Sequence, residues 1–212
     1  ASYHSGNYFL KQIAQGNMTV TELVSHFKSV IEKHEDENIL LNYTSTHDVN
    51  SWQGSSIELY GDAYKMLTAF TYIFPGMPLL YSGQEYDLNK RLLFFEKDNF
   101  IKKRGPTMKF LQKLGKLKNT SDALTAGAGR AAYESLTGLV KMNHGKENQI
   151  FAFKRAGLED TVILIANMSK NYAQFTMNFN GNFKKFSDGK FKKLSDTYEY
   201  VMKPWEYWIL LN

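Results

Sequence analysis

NYTSTHDVNSW, residues 42–52, is the stretch on which the fold is decided. With Ile39-Leu40-Leu41 ahead of it, it begins as an apolar-leaning run and stops on Thr46-His47-Asp48, and the indole of Trp52 follows four residues later. A strand that is apolar along its length and polar at its carboxyl tip fits a parallel sheet: the body is buried on both faces and the tip faces a ligand.

Working outward, the neighbouring segments supply the helices that such a strand needs. Asn7 to Ala14 places Tyr8, Phe9, Leu10 and Ile13 at helical spacing and closes at Gly16. Thr19 and Glu22 are spaced as a capping box, and Leu23, Phe27, Val30 and Ile31 recur with helical period, so a helix is predicted over residues 19–34. Downstream, residues 57–74 carry Tyr64, Leu67, Thr68, Phe70, Thr71 and Phe74 on one stripe, which predicts a buried helix stopped by Pro75-Gly76. MPLLYSG, residues 77–83, is a short strand bounded by breakers, and residues 84–100 have no clean period and read as a long loop over one face. Pro106 sits where a first helical turn tolerates it, opening a third helix in GPTMKFLQKLGKLK. Strand, helix, strand, helix with marked ends is the pattern of parallel βα units. Functional side chains in such folds gather at the carboxyl ends of the strands, which groups Thr46, His47 and Asp48 with Gly83, Gln84 and Glu85. Taken alone, Gln84-Glu85 reads as a loop anchor rather than a catalyst.

After residue 117 the pattern changes. GLVKMNHG, QIFAFKRA, TVILIANMS, AQFTMNF, FKKLSD, TYEYVMK and PWEYWILLN are short runs separated by Gly, Asn, Asp and Ser. Ile150 and Ala152 alternate with Phe151 and Phe153, as an antiparallel sandwich requires. The expected fold is therefore α/β followed by all-β. The boundary falls at a helix end near Leu117, with residues 1–117 in the first domain and 118–212 in the second.

Composition narrows the function. The 212 residues are 43% hydrophobic and 22% charged, as in an ordinary globular chain, and the 15% aromatic content suits packing as well as stacking on flat ligands. The net charge of +5 comes mostly from thirteen basic against nine acidic residues after position 117, where Lys184, Lys185, Lys190, Lys192 and Lys193 cluster. Lysines on exposed strands discourage edge pairing, and no nucleic-acid motif accompanies them, so no nucleic-acid partner is expected. There is no cysteine, hence no disulfide, Cys-based metal site or thiol nucleophile, and His4, His26, His34, His47 and His144 show no paired ligand spacing. No apolar run approaches the ~20 residues of a membrane helix, so no membrane insertion is expected. A soluble chain is expected, and extracytoplasmic and cytoplasmic compartments both stay open. The N-terminus has no signal-like region and does not read as a natural start.

NYTSTHDVNSW, then a helix and FPGMPLLYSGQE, then NKRLLFFEKDNF, resembles the last part of the catalytic barrel of the α-amylase family, glycoside hydrolase family 13. Strand 7 of that family ends in a His-Asp pair. Its strand 8 carries a pattern matched here by Pro75, Gly76, Pro78, Tyr81, Gly83 and Glu85. FAFKRA and PWEYWILLN look like an early and the closing strand of the family's β-sandwich, domain C. The resemblance implies a partial (β/α)8 TIM barrel followed by domain C, and α-glucan oligosaccharides or polysaccharides such as starch as the partner. It implies that Asp48 is the transition-state stabiliser, that His47 binds the same sugar, and that Trp52 and Tyr81 are sugar-stacking or wall residues. Thr46 stands where the family usually has Asn, which removes an amide from the subsite. The strand-4 Asp nucleophile and strand-5 Glu acid/base of the family have no counterpart: no Arg-x-Asp strand end occurs, and Glu22, Glu32, Glu35 and Glu37 end no strand. The expectation is thus a C-terminal part of a retaining glycosidase, inactive alone and prone to self-association through exposed barrel edges. No cofactor is expected in this chain, since family members that use calcium hold it mostly upstream of this segment. The competing expectation is a non-catalytic glucan-binding or structural module.

Overall fold

A computed structural model describes residues 6–33, 39–125, 139–142 and 144–212. Two helices open it, α1 (Gly6–Gln15) and α2 (Val20–Glu32). The expected capping box is present at the start of α2, where Glu22 Oε2 accepts from Thr19 N at 2.7 Å and Thr19 Oγ1 accepts from Glu22 N at 3.3 Å. These bonds hold the Glu22 carboxyl below the usual range. His34, at the end of the predicted helix, lies outside the described residues.

β1 (Leu41–Tyr43) pairs in parallel with β2 (Met77–Leu79), in the register Leu41↔Met77 and Tyr43↔Leu79. Between them the chain forms α3 (Ser56–Tyr60), one 3₁₀ turn (Gly61–Ala63) and α4 (Tyr64–Ile73). The single helix expected over 57–74 is therefore broken. Gly61 adopts φ 48° and ψ −129°, a conformation outside the helical region that glycine tolerates without penalty. α4 is the buried helix that its stripe predicts. Every residue from Met66 to Ile73 is buried, so this is a core helix covered on all sides. Its C-terminal turn is tied down twice. The buried Asn42 amide donates to Pro75 O at 2.9 Å, and the buried Arg155 Nη1 donates to Ile73 O at 3.4 Å. Gly76, at φ 121°, lets β2 lie against β1: a Cβ there would stand 2.5 Å from Leu40 O.

Residues 87–105 form a long irregular segment before α5 (Pro106–Thr120), which has Pro at its first position as expected and buries Leu111 and Leu114. Leu117 lies inside this helix, which continues to Thr120 and is followed by a short α6 (Asp122–Thr125). The remaining strands are all antiparallel: β3 (Leu139–Lys141), β4 (Ile150–Ala156), β5 (Thr161–Asn167), β6 (Ala173–Thr176), β7 (Gly181–Lys185), β8 (Phe191–Leu194), β9 (Glu199–Met202) and β10 (Tyr207–Leu211). Six of them form one sheet in the order β3-β4-β5-β10-β7-β8, while β6 and β9 form a separate pair. β7 had no counterpart among the predicted runs. Its sequence GNFKK holds a single large apolar residue, Phe183, and the sheet rather than its own pattern recruits it. The edge strand β8 carries Lys192 and Lys193, the placement that blunts edge pairing.

The centre of the large sheet, β4, β5 and β10, is buried on both faces. Phe151, Phe153, Val162, Leu164 and Ile209 join the core around Phe27, Phe70 and Phe74 of the helical part. Ile150, Ala152, Ile163, Ile165 and Leu210 pack instead with Phe175, Tyr200 and Met202 of the β6–β9 pair. The alternation predicted for β4 is thus the division between two cores. Among the described residues no helix is long and apolar enough to cross a membrane.

Candidate functional site

The carboxyl end of β1 answers the question its sequence poses. Thr44, Ser45 and Thr46 are buried, and the chain then emerges at His47 and Asp48, both exposed. Thr46 does the turning: its Oγ1 accepts from Val49 N at 3.2 Å and its carbonyl accepts from Asn50 N at 2.9 Å. The Thr46 hydroxyl therefore has a local capping role. A π-helical turn (Val49–Gln53) follows, a wide turn that is uncommon and frequent at functional sites. Its Asn50 is buried and grips the loop that follows β2, accepting from Leu92 N at 2.8 Å and donating to Lys90 O at 3.1 Å. Ser51 Oγ donates to Leu92 O at 2.7 Å.

The end of β2 is riveted to the same place. Gln84 is buried and its amide donates to Thr44 Oγ1 at 2.8 Å, Tyr64 OH at 3.2 Å and Ser56 Oγ at 3.3 Å, while its Oε1 accepts from Tyr81 N at 2.7 Å. Gln84 is an anchor that joins the two strand ends. Glu85 folds back to accept from Gly83 N at 2.9 Å. Gly83 stands at φ 95° with Leu88 so near that a Cβ would lie 2.5 Å from it, which accounts for glycine here. The crevice between the two tips, lined by Ser45, Tyr64, Tyr81 and Gln84, has a volume of only about 10 Å³. That is room for one water and not for a sugar ring. Burial raises the Tyr64 and Tyr81 phenols above their usual range.

His47 and Asp48 lie outside this crevice, on the open rim. His47 Nε2 is 3.5 Å from Asp48 Oδ2, with both side chains more than half exposed. An aromatic group flanks them: the His47 ring lies 5.5 Å from Phe94, and Trp52 lies 5.3 Å from Phe94 and 6.3 Å from Phe95. Trp52 is 60% exposed and Phe95 85% exposed, so these rings offer faces to solvent instead of filling a core. The structure therefore brings His47, Asp48 and Trp52 together with Phe94 and Phe95, and it seats Tyr81 half-buried in the crevice. Phe94 and Phe95 went unassigned in the sequence. Their signal was LLFF, an apolar run inside a loop that is otherwise charged.

The supporting loop is held by charge. Arg91 Nε lies 3.2 Å from Glu58 Oε2, and a second capping box, Ser55 with Glu58, starts α3. The Ser55 N–H and then Arg91 hold the Glu58 carboxyl below its usual range. Lys90 pairs with Asp98, whose carboxyl also accepts from Leu93 N. Among the described residues, no group of three or more His, Asp or Glu side chains is placed to hold a metal.

No protein-family model matches the chain, and no curated protein matches it by sequence. Among solved structures, a maltogenic α-amylase from Thermotoga neapolitana is similar over 99% of this chain and 50% of its own, with 14% identity and a TM-score of 0.80. An α-amylase from Lactobacillus plantarum is similar over 99% of this chain and 47% of its own, with 13% identity and a TM-score of 0.74. An α-amylase from Geobacillus thermoleovorans, solved with acarbose, is similar over 96% of this chain and 46% of its own, with 14% identity and a TM-score of 0.65. The chain spans about half the length of these proteins. Over that half its fold is the α-amylase fold, and the resemblance carried by the motifs at residues 42–52 and 74–85 holds at the level of the fold.

Proposed function

We propose that this chain forms the last two βα units of a (β/α)8 glycosidase barrel, residues 1–117, followed by an antiparallel domain C, residues 118–212. In this reading β1 and β2 are consecutive barrel strands and their carboxyl ends form part of an α-glucan site. The observation that carries it is the rim itself. A parallel strand pair holds an exposed His47 and Asp48 3.5 Å apart on one tip, and solvent-facing Trp52, Phe94 and Phe95 surround them.

The chemistry follows from placing a charge where hydroxyls must be gripped. Retaining glycosidases cleave through an oxocarbenium-like transition state between a nucleophilic carboxylate and an acid/base carboxyl. A third carboxylate, Asp48, accepts hydrogen bonds from ring hydroxyls that become more acidic as positive charge develops. The bonds therefore strengthen in the transition state more than in the ground state. Its negative charge also raises the pKa of a neighbouring carboxyl, which keeps the acid protonated for the leaving group. His47 hydrogen-bonds the same sugar, and Trp52 offers an indole face for stacking. The nucleophile and acid/base come from strands outside these residues, so the 212-residue chain alone does not hydrolyse. Among the described residues β1 and β2 pair only with each other, so their outer edges are covered by further barrel strands or, in isolation, by a second copy.

The test is kinetic. In a complete barrel that contains this segment, Asp48→Asn lowers kcat on maltooligosaccharides by on the order of three decades, as removal of a single electrostatic stabiliser does. The 212-residue chain shows no turnover above background. Activity that survives Asp48→Asn, or robust turnover by the chain alone, overturns the proposal.

A further inference from the structure

We propose that a pocket between α5 and the large sheet is a second ligand site, distinct from the rim, for a phosphomonoester carried on a ring. The cavity has a volume of about 540 Å³, and Lys65, Lys109, Phe110, Lys113, Lys185 and Trp205 are among its walls. That is the size range of sites for small metabolites.

Donors prevail among the polar groups of this pocket: four lysines and two indoles stand against the Glu206 carboxylate and the hydroxyls of Ser187 and Tyr207. Lys109 and Lys113 are four apart on α5 and so project side by side from one helix face, with Phe110 beside them. Neither has an acidic partner among the described residues, whereas Lys185 is 3.2 Å from Asp188 and Lys65 sits 5.2 Å over the Phe110 ring. The pocket's one carboxylate, Glu206, is already engaged: Oε2 accepts from Lys203 N and Oε1 accepts from Trp208 Nε1, both at 2.9 Å. A neutral sugar needs acceptors as well as donors around its hydroxyls. Ammonium groups supply donors alone, which suits the acceptor-only oxygens of a phosphate.

The second feature is Trp205. Its φ is 59°, a left-handed backbone that bulky residues rarely adopt, and Glu206 holds the turn in place through its bonds to Lys203 N and Trp208 Nε1. The indole packs partly against the core and lines the pocket with the rest of its surface. Phe110 and Tyr207, with ring centres 6.5 Å apart, continue the aromatic wall. Burial pushes the Tyr207 phenol up to about 12, so it stays neutral beside the lysines. An aromatic wall under an ammonium rim fits a ring bearing a phosphomonoester.

The experiment is an NMR titration of the 212-residue chain with four probes: glucose 6-phosphate, adenosine 5′-monophosphate, inorganic phosphate and maltose. At least one ring phosphate shifts residues 106–113 and 205–208, and which of the two binds tells a sugar source from a nucleotide source. Maltose does not shift those residues, and inorganic phosphate binds more weakly. The double variant Lys109→Gln, Lys113→Gln changes two exposed residues and weakens binding roughly tenfold or more. Trp205→Gly, which accepts the left-handed backbone, weakens it too. The proposal is overturned if neither ring phosphate binds there, if inorganic phosphate or maltose binds as tightly, or if the lysine variant keeps full affinity.

Discussion

β1 and β5 are both apolar strands, and the contrast between their surroundings separates what holds this molecule together from what it does. β5 pairs along its whole length with β4 on one side and β10 on the other and is buried on both faces. Its side chains reach into two cores, and its end carries no open chemistry. β1 pairs with one short strand and then delivers His47, Asp48 and Trp52 to solvent. Rigidity at the rim comes from the buried amides of Asn50 and Gln84, which tie the strand tips to one another and to the following loop, while Asn42 fastens β1 to the turn that enters β2. Stability is thus concentrated in aromatic packing, and positioning in a few satisfied polar side chains.

Perturbations can break or sharpen that contrast, and the largest belongs to the packing side. Phe74 lies 4.6 Å from Phe27 and 4.9 Å from Phe70, ring centre to ring centre, and also meets Phe151 and Phe153 of β4. Phe74→Ala should cost about 3–5 kcal/mol, read as a lower urea midpoint at unchanged slope. Asn50→Ala leaves Leu92 N without its acceptor and should cost about 1–3 kcal/mol. Hydrogen exchange should show faster opening of residues 89–95, with the large sheet unaffected. If the whole chain loosens equally, rim and sheet are one cooperative unit.

A titration probes the seam between the helical part and the sheet. Lys118 is held down to about 7 from 10.5, first by burial and then by the Arg155 charge. The unfolded chain therefore binds more protons than the folded one between about 7 and 10.5, and stability rises with pH across that window. Lys118→Met should flatten this rise, measured as the urea midpoint against pH; an unchanged slope would assign it elsewhere. The smallest effect is expected at the rim. Trp52→Ala should change stability by less than about 0.5 kcal/mol, because the indole is 60% exposed.

The sequence made the same division visible only in part. The capping box at Thr19, the alternation of β4 and the polar end of β1 are local patterns, and each appears where its residues predict. The break at Gly61 did carry a local signal, the glycine itself, and the apolar stripe begins only at Tyr64 beyond it, where α4 starts. β7 was hidden because two lysines and one phenylalanine make no strand pattern until β10 and β8 flank them. At the rim, His47, Asp48 and Trp52 could be read from one segment. Phe94 and Phe95 come from a loop more than forty residues later, and the Asn50 and Ser51 bonds, with the Arg91–Glu58 pair and the Ser55–Asn89 bond, bring that loop back. The junction pocket joins α5 to the turn before β10, a pairing of distant segments that no local pattern carries.

The most direct check is an NMR titration of the 212-residue chain with acarbose, following backbone amides, the His47 ring and the Trp52 indole. A glucan-recognising rim predicts shifts confined to residues 46–52 and 81–95 that disappear in the His47→Ala, Asp48→Asn double variant. Shifts absent from those residues, or unchanged in the double variant, would contradict the account.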